Sequence, residues 1–111
     1  MIRLLILLPI ALAACEDTAD VGTCMDLCED SQAQNCSYVS GSCSQFCNAL
    51  VSIDEAAGCE ARHVAYEDCL QDEGVCSNQC DASENALRDC VVAHCQTRLS
   101  DPDCVALAQT F

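Results

Sequence analysis

Hydrophobic positions along this chain fall into two regimes. From Leu4 to Leu12 they form an almost unbroken apolar run behind Met1-Ile2-Arg3. That is the charged n-region and short h-region of an export signal, too short to span a bilayer. After Cys15 no comparable run returns. Apolar residues and cysteines recur instead at intervals of three and four, the period of helices with one buried face. No stretch alternates β-branched and polar residues as a half-buried strand would. The pattern predicts an all-α fold with no significant sheet.

The elements follow from caps and periodicity. A unit of two cysteines four apart occurs as Gly22-Thr23-Cys24 to Cys28, Gly41-Ser42-Cys43 to Cys47, and Gly74-Val75-Cys76 to Cys80. Such cysteines share one helix face and are better placed to bond a neighbouring helix than each other. The first helix is expected from about Cys24 to Gln34, with Thr23 as N-cap and Asp26 three residues on. The second runs from about Cys43 to Val51, capped by Ser42 and Gln45, its cysteine face extended by Phe46 and Leu50.

Ser52-Ile53-Asp54-Glu55 reads as a further capping box opening a third helix, about Asp54 to Leu70, which presents Cys59, Val64, Tyr66 and Cys69 and closes before Gly74. The unit Cys76 to Cys80 is expected as a short helix. Asp81-Ala82-Ser83-Glu84 would open a long one, from about Ala82 to Leu99, with Leu87, Val91, Cys95 and Arg98 on one face and Cys90 and His94 beside them. Asp101-Pro102-Asp103 has the form of N-cap, N1 proline and N2 acid. It starts a last helix through Cys104, Val105 and Leu107.

The cysteine pattern is a degenerate repeat: Cys36, Cys43 and Cys47 reappear 33 positions later as Cys69, Cys76 and Cys80. The expected organisation is a leader over residues 1–14, a polar tether over 15–23, and one small domain over 24–111. Its architecture would be a disulfide-crosslinked bundle of helical hairpins.

Composition alone would argue against any fold. The 111 residues carry 18 acidic side chains, no lysine and a net charge of −14. Fewer than about one mature residue in five is Leu, Ile, Val or Phe, the profile of a disordered chain. The cysteines reverse that conclusion. There are 13 in all, and an odd number in an oxidising compartment leaves one over. If Cys15 is spent otherwise, Cys24, Cys28, Cys36, Cys43, Cys47, Cys59, Cys69, Cys76, Cys80, Cys90, Cys95 and Cys104 can all pair. Each bridge would contribute about 2–4 kcal/mol in place of a large core. The acidity disfavours nucleic acid and anionic lipid headgroups, and the partner it favours is a basic protein.

Leu12-Ala13-Ala14-Cys15 resembles the lipobox of bacterial lipoproteins. The resemblance implies cleavage before Cys15, a diacylglyceryl thioether (palmitate-type acylation) on its sulfur, and an extracytoplasmic domain held to a membrane by that lipid. Glu16, where an aspartate would favour retention in the inner membrane of enteric bacteria, points by the same resemblance to the outer membrane. Pairing of the other cysteines stays open, since twelve allow on the order of ten thousand connectivities. The first two C-x3-C helices are similar to the plant α-hairpinins, and the antiparallel ladder of Cys24 with Cys47 and Cys28 with Cys43 is the pairing favoured for them. Cys59-x9-Cys69 and Cys80-x9-Cys90 resemble the twin C-x9-C helices of mitochondrial intermembrane-space proteins.

Chemistry beyond the anchor is sparse. Glu60-x-x-His63 has the spacing of a di-iron motif, but no second copy accompanies it. Cys95 beside His94 would act as a nucleophile only as a free thiolate. No calcium-loop pattern is present. The sequence therefore points to a non-enzymatic envelope module without a cofactor other than the lipid. Two alternatives stand beside it. One is a thiolate store for Cu(I) or Zn(II), since the helices resemble the copper-storage four-helix bundles. The other is a surface-displayed, disulfide-rich effector or inhibitor.

Overall fold

The computed structural model describes residues 19–37 and 39–111. The leader, the lipobox and Cys15 lie outside them. The described residues form five α-helices and one short 3-10 turn: α1 (Val21–Ala33), α2 (Cys43–Ala57), α3 (Glu60–Glu73), the turn at Asn78–Cys80, α4 (Asp81–Cys95) and α5 (Pro102–Thr110). No strand occurs among them, and none of these helices is long and apolar enough to cross a membrane.

Two antiparallel hairpins, α1–α2 and α3–α4, carry the architecture, and six disulfides hold it. Cys24–Cys47 and Cys28–Cys43 join α1 to α2 as the antiparallel ladder expected beside the α-hairpinin resemblance. Cys59–Cys90 and Cys69–Cys80 clamp the two ends of the α3–α4 hairpin, outer cysteine to outer and inner to inner. Cys95–Cys104 turns α5 back from α4, and Cys36–Cys76 ties the loop of one hairpin to the loop of the other. Their Cα separations, 5.5 to 5.9 Å, sit within the ordinary range for a disulfide.

α2 is the centre, packed against α1, α3, α4 and α5. Its inward face of Phe46, Cys47, Leu50 and Ile53 meets Leu87 and Val91 of α4 and Leu107 of α5. Cysteine sulfur thus makes up a large part of the core, and the few aliphatic side chains fill in around it.

The helix ends differ from expectation in instructive ways. α1 begins at Val21, ahead of the expected start at Cys24, because Asp20 is its cap. Asp20 accepts from the backbone N–H of Thr23 at 2.7 Å and from the Thr23 hydroxyl at 3.1 Å. Ala19 is already buried, so the folded region begins inside the stretch expected to be tether.

The larger correction concerns Ser52 to Glu55. These residues do not open a helix but lie inside α2, which runs on to Ala57. Ser52 donates instead to Asp103 Oδ2 at 2.7 Å, linking α2 to α5. The break falls at Gly58, whose φ of 74° is a left-handed C-cap that glycine takes without steric cost. The Gly58 and Cys59 amides both return to the carbonyl of Asp54.

The Cys76–Cys80 copy is not an α-helix. Only Asn78–Cys80 form a 3-10 turn, capped by Ser77. Its two sulfurs go to different elements, Cys76 to the α1–α2 loop and Cys80 to α3, so nothing requires them on one helix face. α4 ends at Cys95, short of the expected Leu99, and its first turn has no side-chain cap. Glu84, read as the far half of a capping box, pairs with Arg88 Nε at 2.6 Å. The last helix starts as expected, with Asp101 accepting from the amides of Asp103 and Cys104.

Candidate functional site

The corner between α2 and α3 buries three ionisable side chains in one place. Asp54 comes from the last full turn of α2, and His63 and Glu67 from consecutive turns of α3. They are 0%, 2% and 6% exposed. The sequence produces this locally in two steps. Gly58 reverses the chain tightly enough to set the first turn of α3 beside the last turn of α2, and the Cys59–Cys90 bridge then fixes that corner to α4. Residues four apart on a helix share a face, so Glu67 lies beside His63 on the side away from Asp54.

Asp54 Oδ2 pairs with His63 Nδ1, and Glu67 Oε2 lies 3.0 Å from Nε2 as the second ion pair of the ring. Asp54 Oδ1, also buried, has no hydrogen bond. Burial by itself would push the imidazole pKa down, because it disfavours the charged ring. The hydrogen bonds and negative charges of Asp54 and Glu67 more than reverse this and raise it from 6.5 to about 9. At neutral pH the ring is therefore an imidazolium held between two carboxylates.

The site borders a cavity of about 40 Å³ lined by Cys24, Phe46, Leu50, His63, Glu67 and Phe111 among others. That space is far below the several hundred Å³ of a small-molecule pocket. Cys24 Sγ, a nitrogen of His63 and an oxygen of Glu67 lie within 4.8 Å of one another. Phe111, which lines this cavity, also has a cationic neighbour. Arg88 lies over that ring at 4.0 Å from its centroid, and the ring meets Phe46 edge to face at 5.0 Å.

All twelve cysteines from Cys24 to Cys104 are taken up in bridges. Cys95, beside His94, is bonded to Cys104, so the two do not form a nucleophile pair. Glu60, singled out for its spacing to His63, is not the residue that pairs with the ring. Asp54 and Glu67 are; the sequence pattern had placed Asp54 only at a helix start and gave Glu67 no role. The His63–Glu67 spacing was a readable signal. The Asp54–His63 contact was not, because it depends on a corner placed at Gly58 rather than at Ser52.

These features define a small, all-helical, disulfide-crosslinked domain with a buried acid–histidine–acid group. No protein-family model, curated protein or solved structure matches the chain.

Proposed function

We propose that the protein is a lipid-anchored, extracytoplasmic module of the bacterial cell envelope, acting as a structural or interaction element rather than an enzyme. The observation that carries this reading is the cysteine balance. Twelve of the 13 cysteines close six bridges among themselves. Cys15 is left for other chemistry, at the end of a lipobox-like segment. Six bridges also suit an exported domain, since such bonds persist in oxidising compartments.

The remaining features agree with this role. A thiolate store would need as thiolates the same sulfurs that the bridges consume. His63, enclosed by two carboxylates, has no open face toward a substrate-sized pocket. The acidic, lysine-free surface suits a basic protein partner, and Glu16 after the anchor favours the outer membrane.

The test is Cys15→Ser expressed in a bacterial host beside the wild type. Wild type should take up labelled fatty acid and sediment with outer-membrane fractions, and the variant should do neither. A variant that still pellets with membrane would refute the lipid anchor. A purified domain with close to twelve titratable thiols would move the protein to the storage class.

A further inference from the structure

The corner site has the donor set of a transition-metal centre with one donor locked away. We propose that the Cys24–Cys47 bridge and a zinc-type divalent ion are alternative occupants of one site, in which Cys24 Sγ, His63 Nε2 and a Glu67 carboxylate oxygen are the ligands and Asp54 supports the histidine.

Three observations carry this. The ligand atoms of Cys24, His63 and Glu67 already lie within 4.8 Å of one another, all three residues buried. Donors bound at roughly 2.0–2.3 Å to a tetrahedral zinc stand about 3.3–3.8 Å apart, so closure by about 1 Å assembles the set. Glu67 Oε2, on a side chain more than nine-tenths buried, has the His63 ring as its ion-pair partner, 3.0 Å from Nε2, and Glu67 lines the cavity that Cys24 and His63 also line. Finally, Asp54 binds Nδ1 and leaves Nε2 toward Glu67. A carboxylate behind a ligating imidazole fixes the tautomer that offers its other nitrogen to the metal.

The chemistry balances as an exchange. Opening the bridge takes two electrons and two protons from a dithiol, which closes its own disulfide, and leaves Cys24 and Cys47 as thiols. The ion then displaces the protons of Cys24 Sγ and His63 Nε2 and takes Glu67 as its third ligand, with water in the fourth position. In reverse, a disulfide oxidant re-forms the Cys24–Cys47 bond, receives the two electrons and expels the metal. A sulfur already in a disulfide is a poor ligand, so the two states exclude each other.

Cys47→Ser tests this without any reductant, because it frees Cys24 while five bridges remain. After peptide mapping confirms those five bridges and the free thiol, cobalt(II) titration near neutral pH should show one equivalent bound. It should also show the near-ultraviolet thiolate-to-cobalt band and strong tetrahedral visible bands, all displaced by zinc. The oxidised wild type should show none of these. Adding Asp54→Asn should weaken binding about 10–100-fold. A folded Cys47→Ser protein that binds no cobalt, or binds it without the sulfur band, overturns the proposal. Should that variant fail to fold, wild type is equilibrated in graded glutathione buffers with and without zinc and then alkylated. Zinc at ten times its dissociation constant should raise the open-to-closed ratio at Cys24–Cys47 about tenfold, and an unchanged ratio overturns the proposal equally.

Discussion

Asp54 and His63 sit on different helices yet form one buried ion pair across the Gly58 corner, with Glu67 closing the other side of the ring. Their charges make the stability of the domain depend on pH in a definite direction. The folded pKa of His63 is raised to about 9, above its ordinary 6.5. Its contribution is therefore fully present below about pH 6.5 and is lost as pH rises through about 9, on the order of 3 kcal/mol in all. Urea unfolding with bridges intact should show a falling midpoint across that window. His63→Gln should flatten the profile there, and a wild-type profile level from pH 6.5 to 9.5 would contradict the assignment of the imidazolium.

Removing one charge from this group should cost more than removing all of them. His63→Leu strands two carboxylates in the interior and should destabilise by about 3–5 kcal/mol. The triple variant Asp54→Leu, His63→Leu, Glu67→Leu leaves no buried charge, and the adjoining cavity gives the new side chains room. It should recover most of that loss, since apolar replacement of a buried ionic group is often neutral or better. Denaturant midpoints for the two proteins decide the matter.

How far the sequence could be read depends on range. The cysteines four apart in Cys24–Cys28 and Cys43–Cys47 marked two helix faces to be joined, while the antiparallel pairing itself was favoured beside a resemblance to the α-hairpinins and otherwise left open. Asp101-Pro102-Asp103 marked α5 without ambiguity, since cap, fixed φ and missing N–H agree at one place. Ser52 to Glu55 misled because a helix-starting pattern is also acceptable in a helix interior when the preceding turns already propagate. The decision was made by Gly58, the residue that can turn left-handed at no cost. The Cys76–Cys80 copy misled in the same manner: its spacing matches a helix, but its sulfurs answer to two separate elements. Of the acid–histidine–acid site the sequence offered only the i, i+4 spacing of His63 and Glu67, which was passed over in favour of Glu60.

The interior position of Ser52 can be checked by comparing caps. Were Ser52 an N-cap, Ser52→Ala would cost about 1 kcal/mol. Within α2 the loss of its exposed bond to Asp103 is offset by the better helix propensity of alanine, and the change should stay within about 0.5 kcal/mol. Asp101→Ala, which removes a true cap, should cost about 1 kcal/mol. Gly58→Ala should cost about 1–2 kcal/mol from backbone strain alone, because an added Cβ meets no atom within 4 Å.

The bridge between the two hairpin loops should be the first to yield to reduction. Cys76 is exposed and Cys36 half-buried, whereas Cys47 and Cys59 are wholly enclosed, and thiol–disulfide exchange needs in-line access to a sulfur. Mild reduction followed by alkylation and peptide mapping should find Cys36 and Cys76 labelled before any other pair. The opened protein should keep its helices by circular dichroism, because Cys36–Cys76 joins loops and the other five bridges staple the helices and their ends. Its stability should still fall, since the bridge spans 40 residues and a loop of that size is worth about 3–4 kcal/mol on the chain-entropy model. Labelling that begins at Cys59 and Cys90, or loss of helicity at the first step, would show that the hairpins open before the tie between their loops.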